Sequence, residues 1–266
     1  MIRLVLFLSI MLLSTIMPDA ARAQQQLHIA FLGDSNTWLG GDECDNQKGW
    51  NKWFKDILQP ASCRSYARSG ATWTHTTKTK RDTKENIGKL GKDNVIFNQV
   101  MRLKEAYDRG EQHKPDLILI AAGTNDAWFK KERPYAFNKD ADDVFAESSK
   151  DFRKNDIDEI LTLAEAVRYD CEWLSHFFPE AQIILLSPLQ TTAAPTELIH
   201  QAGDIIEECG RRMSINTIRQ DYGSCVNAMH EKEAYRYTYD GTHTSVEGAK
   251  RNGYYIARQV KSMLYY

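Results

Sequence analysis

Residues 116–126 read DLILIAAGTND: a run over Asp116–Ala122, apolar after its first residue, stops at Gly123 and gives way to small polar residues. Such a run, with no polar alternation, suits a strand covered on both faces, as in a parallel sheet. Three further stretches have the same character. Leu27–Leu32 ends at Gly33, Cys63–Ala67 is a shorter candidate, and Gln182–Ser187 ends before Pro188. Helical spacing fills the intervals. Ile96, Val100, Leu103 and Tyr107 form one set. Ile157, Ile160, Leu161, Ala164, Val167, Cys171 and Leu174 form a second, and Val246, Ala249, Ile256, Val260 and Leu264 a third. Strands alternating with helices predict an α/β sandwich with a mostly parallel sheet. In sheets of that kind ligands lie outside the carboxyl ends of the strands. The residues just after each strand are therefore where chemistry is expected.

Four segments stand out there. They are Gly33-Asp34-Ser35-Asn36-Thr37, Ser69-Gly70-Ala71-Thr72, Gly123-Thr124-Asn125-Asp126 and, before the last helix, Asp240-Gly241-Thr242-His243. A helix cap accounts for Asp34 or Ser35 taken alone, and a turn for Gly70 or Asn125. Together they fit acyl transfer. A serine hydroxyl is a weak nucleophile until a neighbouring base takes its proton. Histidine is the side chain whose unperturbed range suits that base, so His243 is the candidate, and Asp240, three residues earlier, is placed to orient it. His200, in a helical stretch after Glu197, is the nearest decoy. The oxyanion of a tetrahedral intermediate needs donors, and the Ser35 and Gly70 N–H groups with the Asn125 amide are the candidates. Glycine at position 70 lets backbone approach a ligand closely.

These four segments resemble the sequence blocks of the SGNH (GDSL-type) hydrolases. Ser35, Gly70, Asn125 and His243 occupy the four positions that name that family. The resemblance runs from about Leu27 to the last helix. It implies a flavodoxin-like three-layer α/β/α sandwich and an esterase, lipase, thioesterase or carbohydrate deacetylase activity that needs no metal or other cofactor. Two departures concern loop shape: Trp38 and Leu39 precede Gly40-Gly41 where a glycine is often earlier, and no asparagine shortly precedes Gly70. The α/β-hydrolase elbow G-x-S-x-G is excluded, because Thr37 stands where its second glycine belongs.

The two ends of the chain and its composition bound the rest. Residues 1–23 read as a signal peptide: Arg3, an apolar stretch from Leu4 to Met17, and the small-x-small site Ala21-Arg22-Ala23. The expectation is a single domain over residues 24–266, periplasmic or secreted, with no stable membrane anchor. A net charge of −2 and a basic run at Lys78–Arg81 broken by Asp82 argue against a nucleic-acid partner. No zinc spacing occurs, so no metal site is expected. Five cysteines leave at least one unpaired, and Cys209 with Cys225 is the nearest pair in sequence. The polar segments His75–Asn94 and Phe129–Asn155 read as surface loops or short helices. Trp38, Trp73 and Trp128 each lie just beyond a candidate block, where an aromatic face suits a sugar ring. The expected substrate is a small-molecule or oligosaccharide ester, with removal of acetyl or other short acyl groups. The alternatives are a lysophospholipase or thioesterase acting on longer chains, or an inactive glycan-binding relative.

Overall fold

The computed structural model describes residues 27–84, 90–147 and 149–264. Residues 1–23, whose sequence reads as a signal peptide, lie outside them. Strand β1 (His28–Gly33) is followed by a one-turn helix α1 (Ser35–Trp38) and by α2 (Trp50–Leu58). Strand β2 (Ser62–Ser65) leads through irregular chain to α3 (Ile96–Asp108). Strand β3 (Leu117–Ala121) precedes the short helices α4 (Thr124–Trp128) and α5 (Ala141–Phe145) and the longer α6 (Leu163–Phe177). Strand β4 (Gln182–Leu186) leads to α7 (Thr196–Arg212). Strand β5 (Asn216–Ile218) is followed by α8 (Gln220–Gly223), α9 (Ala228–Ala234) and α10 (Val246–Met263).

All five strands are parallel, in the order β2-β1-β3-β4-β5. Their residues divide between two cores. Ile29, Phe31, Leu117, Leu119, Ile184 and Leu186 face α2 and α10 through Trp50, Phe54, Ile256 and Val260. Ala30, Leu32, Ile118, Ile120, Ile183 and Leu185 face α3, α6 and α7 through Val100, Val167 and Ile206. The strands at the centre of the sheet are apolar throughout because both faces are covered, and the result is a three-layer α/β/α sandwich. Among the described residues no helix is long and apolar enough to cross a membrane.

One sequence-based boundary shifts for a local reason. The second helical set begins too early, because Ile157–Glu159 forms a separate 3-10 turn. Helix α6 starts after Thr162, whose side chain accepts from the Glu165 N–H while Glu165 reaches back to the Thr162 N–H. That capping box fixes the true start. The short, partly polar strand β5 escapes an apolar-run criterion. Cys209 and Cys225, the nearest pair in sequence, are not bonded to each other. The Cys209 thiol donates to Ala164 O at 3.8 Å and that of Cys225 to Gly248 O at 3.7 Å, on different faces of the sheet. Cys44 and Cys63 are both buried in the core between the sheet and α2.

The end of β1 is unusually constrained. A Cβ on Gly33 would sit 2.5 Å from Ala121 O on the neighbouring strand, so only glycine permits this approach. Buried Gln99, on α3, brackets the same residue: its Oε1 accepts from Gly33 N and its Nε2 donates to Gly33 O, both at 2.8 Å. The chain thus leaves the sheet at one fixed point, immediately before Asp34 and Ser35.

Candidate active site

Asp34 follows the strand and caps α1. Its Oδ1 accepts from Asn36 N at 3.1 Å, which satisfies one of the otherwise unpaired N–H groups of a helix start. Ser35 is the first residue of that helix. Its Oγ lies 2.9 Å from His243 Nε2, and His243 Nδ1 lies 2.6 Å from Asp240 Oδ2. With the Nδ1 proton on the side of the carboxylate, Nε2 is free to accept from the serine hydroxyl. Asp240 Oδ1 accepts from Thr242 N at 2.9 Å and from His243 N at 2.7 Å. Burial pushes the Asp240 carboxyl up, but these donors and the His243 ring outweigh it and hold it below the usual carboxylate range. It is therefore ionised at neutral pH.

The loop that carries Asp240 and His243 is a small closed unit. Thr238 and Thr244 form an antiparallel bridge, and Tyr239 N donates to His243 O at 3.0 Å. Fully buried Glu231 on α9 holds one arm, accepting from Tyr237 N, Thr238 N and Thr238 Oγ1. On the other side Thr192 N donates to Gly241 O at 2.9 Å, and the Thr191 and Thr242 hydroxyls lie 2.6 Å apart.

The candidate oxyanion donors come from the ends of β1, β2 and β3. Gly70 has φ of +78°, a conformation that glycine adopts freely and other residues rarely do. Among the described residues neither its N–H nor that of Ser35 is taken by a protein acceptor. Asn125, on α4, donates one Nδ2 hydrogen to Ala71 O at 2.9 Å, which leaves the amide a second. Its neighbour Asp126 accepts from Trp73 N, Thr74 N and Thr74 Oγ1. Two consecutive side chains after β3 thus pin the loop that carries Gly70. The bracing role of Asp126 has no signature in the sequence, where it reads as an ordinary turn aspartate.

The tryptophans separate. Trp73 is fully buried within the core beneath α3, so it offers no face to a sugar, which corrects the expectation for that residue. Trp38 is half-buried on α1. Trp128 is 40% exposed at the end of α4, its ring stacked on Phe129 at 5.0 Å. Sequence reasoning missed Tyr239. It is 53% exposed, and its ring lies nearly parallel to that of His243, with centroids 5.7 Å apart. Two cavities, about 350 Å³ beside Lys139 and Glu159 and about 590 Å³ beside Arg153 and Glu172, include neither Ser35 nor His243.

A second Ser/His/Asp grouping occurs after β4 and β5. Ser187 Oγ donates to Asp221 Oδ1 at 2.5 Å, and His200 Nδ1 lies 2.9 Å from Asp221 Oδ2. Here the carboxylate sits between the other two, and Arg219 holds both its oxygens. The serine has no base, so the group is structural. Among the described residues no cluster of histidine, cysteine and carboxylate groups is arranged to hold a metal ion.

Comparison with known proteins identifies the family. The sequence matches the family model described as GDSL-like lipase/acylhydrolase over residues 31–251. The chain belongs to the GDSL-like lipase/acylhydrolase family. Membership carries ester hydrolase activity with it. Three solved structures share the fold. A "possible lipase" from Chitinophaga pinensis is 17% identical with a TM-score of 0.57, over 89% of this chain and 98% of that one. A Lactobacillus plantarum protein is 14% identical with a TM-score of 0.58, over 90% and 97%. A lipase/acylhydrolase from Enterococcus faecalis is 18% identical with a TM-score of 0.51, over 90% and 98%. At these identities the likeness concerns the fold alone. A search of curated proteins returned no match.

The site also carries a titration. Burial, opposed by the Asn36 N–H, His243 and Thr124, pushes Asp34 up from 3.8 to about 6. The folded state therefore holds this proton more tightly than the unfolded chain does. The stabilisation is complete below about pH 4 and is lost as pH rises through about 6. An asparagine at this position has no charge to bury. In urea unfolding, Asp34→Asn is expected to gain about 3 kcal/mol relative to wild type between pH 4 and pH 8. Parallel stability curves across that range would refute the buried charge.

Proposed function

We propose that the protein is an exported serine esterase that removes acetyl or other short acyl groups from carbohydrate. The observation that carries the serine mechanism is the hydrogen-bonded chain from Ser35 Oγ through His243 to Asp240. Ser35 Oγ attacks the ester carbonyl while its proton passes to His243 Nε2. Asp240, ionised and fixed by two backbone donors, stabilises the imidazolium and keeps the ring in register. The Ser35 and Gly70 N–H groups and the Asn125 amide receive the oxyanion. Collapse of the tetrahedral intermediate expels the alcohol, which takes the proton from His243, and leaves an acyl-serine. Water, deprotonated by the same histidine, then releases the acid and restores Ser35.

The substrate class rests on the aromatic side chains around the site. Trp38, Trp128 and Tyr239 each sit on a segment that also carries Ser35, Asn125 or His243, and the last two are exposed. Flat aromatic faces suit the apolar faces of sugar rings. Export rests on the character of residues 1–23, and residues 24–266 then form the mature single domain.

An ester panel on the purified mature protein tests the reading. Acetate release from acetylated oligosaccharides is expected to exceed hydrolysis of long-chain acyl esters and thioesters, with a fluorophosphonate probe labelling Ser35. Preference for long chains would overturn the carbohydrate assignment in favour of a lysophospholipase or thioesterase. Absence of labelling in the folded protein would favour a glycan-binding relative.

A further inference from the structure

We propose that Asn36 is a positioning residue that fixes His243 to the helix bearing Ser35. The inference rests on the reading of Ser35 as nucleophile and His243 as base. Asn36 is 5% exposed and comes directly after Ser35. Its Nδ2 donates to Thr242 O at 3.2 Å, and its Oδ1 accepts from Thr244 N at 3.0 Å. The Thr244 hydroxyl approaches the same oxygen at 3.4 Å. Thr242 and Thr244 flank His243, so one planar amide spans the backbone on both sides of the histidine.

The other restraints on this loop do not tie it to the nucleophile. Asp240, Thr238 and the Thr238–Thr244 bridge are internal to it. Glu231, Thr191, Thr192 and the Lys48 carbonyl connect it to other elements. Among the described residues, Asn36 is the one side chain of α1, apart from Ser35 itself, that bonds to the loop. It is also well placed to transmit position. Its own backbone N–H is held by Asp34, and α1 begins at the point where Gly33 is bracketed by Gln99. Base and nucleophile are thereby referred to the same strand end, although they lie 208 residues apart in sequence.

The chemistry of the amide matters. Proton transfer requires the hydroxyl and Nε2 to stay within hydrogen-bond reach, and supporting groups must hold such sites to about 0.5 Å. Asn36 needs one donor and one acceptor at once. An ionised aspartate keeps the acceptor for Thr244 N but sets an oxygen against Thr242 O. A protonated aspartate restores the donor. Alanine removes both bonds and leaves two buried backbone groups without a partner.

Asn36→Ala and Asn36→Asp test this, with kcat, KM, the rate of fluorophosphonate labelling and hydrogen exchange at the Thr244 amide as readouts. Asn36→Ala is expected to lose about 10- to 100-fold in kcat and in labelling rate, with little change in KM. The Thr244 amide should exchange faster in a protein that is otherwise protected as wild type. Asn36→Asp should recover toward wild type, relative to the same pH, as pH falls and its carboxyl protonates. A residue that only packs would not give that pH-dependent ratio. Wild-type labelling and kcat in Asn36→Ala, or unchanged Thr244 exchange, would overturn the proposal. If Asn36→Ala does not fold, the pH dependence of Asn36→Asp decides. If wild-type protein neither labels nor hydrolyses any ester, the esterase reading fails, and Thr244 exchange alone judges the clamp.

Discussion

Ser35→Ala is expected to lower kcat by about 10⁴-fold or more while leaving the protein folded. The substitution removes one atom, Oγ, whose described partner is His243 Nε2 at 2.9 Å. No acyl-serine then forms, and the remaining oxyanion donors and binding contacts supply only what they give to direct attack by water. The fold does not depend on that atom. Asp34, not Ser35, supplies the cap of α1, and the strand end is held by Gln99 and by the Ala121 backbone. Loss of the hydroxyl should alter stability by about 1 kcal/mol or less, a change of a few degrees in Tm at most for a chain of this size. Turnover on the best ester, measured with thermal unfolding on the same preparation, checks both halves. Turnover comparable to wild type would refute Ser35 as nucleophile. Equal loss of activity and of structure would mean that the variant says nothing about chemistry, and Asp240→Asn would then carry the comparison.

The sequence made some of this legible because two physical signals coincided. Strands buried on both faces leave unbroken apolar runs, so β1, β3 and β4 were readable to within a residue or so. The residues just past those runs are where the parallel sheet places ligands, which gave Ser35 and Asn125 a position as well as a type. Asp240 and His243 were readable as a pair because they act on each other at short range, three residues apart. The rest is encoded in long-range contacts that leave no local pattern. Gln99 on Gly33, Asn36 across Thr242 and Thr244, Glu231 on Tyr237 and Thr238, and Asp126 on Trp73 and Thr74 are all single polar side chains satisfying backbone groups far away or on another loop. Nothing nearby in sequence distinguishes them from solvated polar residues. Trp73 failed for the complementary reason. Its place beside a candidate block gave no information on which way the ring points, and the ring points inward.

These buried polar side chains share a logic. A site assembled from four chain segments needs each loop fixed without a continuous strand or helix through the reacting atoms. Parallel strands end at the same face, but their own ladder does not extend to the loops beyond it. Here the chain after β1 is joined to the segment before α10, the chain after β3 to that after β2, and the end of β1 to α3, by a carboxylate and primary amides that pair with backbone N–H and C=O groups. Buried backbone polar groups must be paired in any case. Pairing them with side chains from a neighbouring loop satisfies that requirement and registers the loops against one another at the same time.

In the proposed mechanism Asn125 also donates to the oxyanion, and Asn125→Ala tests that role. The oxyanion exists only in the tetrahedral state, so loss of a donor to it should lower kcat and leave KM nearly unchanged. Removal of one such donor typically costs about 10²- to 10³-fold. The same substitution also frees Ala71 O, which Asn125 Nδ2 holds at 2.9 Å, and so loosens the turn that presents the Gly70 N–H. The two effects act in the same direction on kcat, and Asp126 still restrains Trp73 and Thr74, which should keep the loop in place overall. Asn125→Asp separates the contributions. It nearly preserves shape but turns an amide into a carboxylate, which meets both Ala71 O and the developing oxyanion with negative charge. It should be slower than the alanine variant at neutral pH and recover relative to it as pH falls. Steady-state kinetics on a short-chain ester, with both variants compared over the same pH range, provide the check. A rise in KM with unchanged kcat would place Asn125 in ground-state binding, and the oxyanion would then depend on the backbone donors of Ser35 and Gly70 alone.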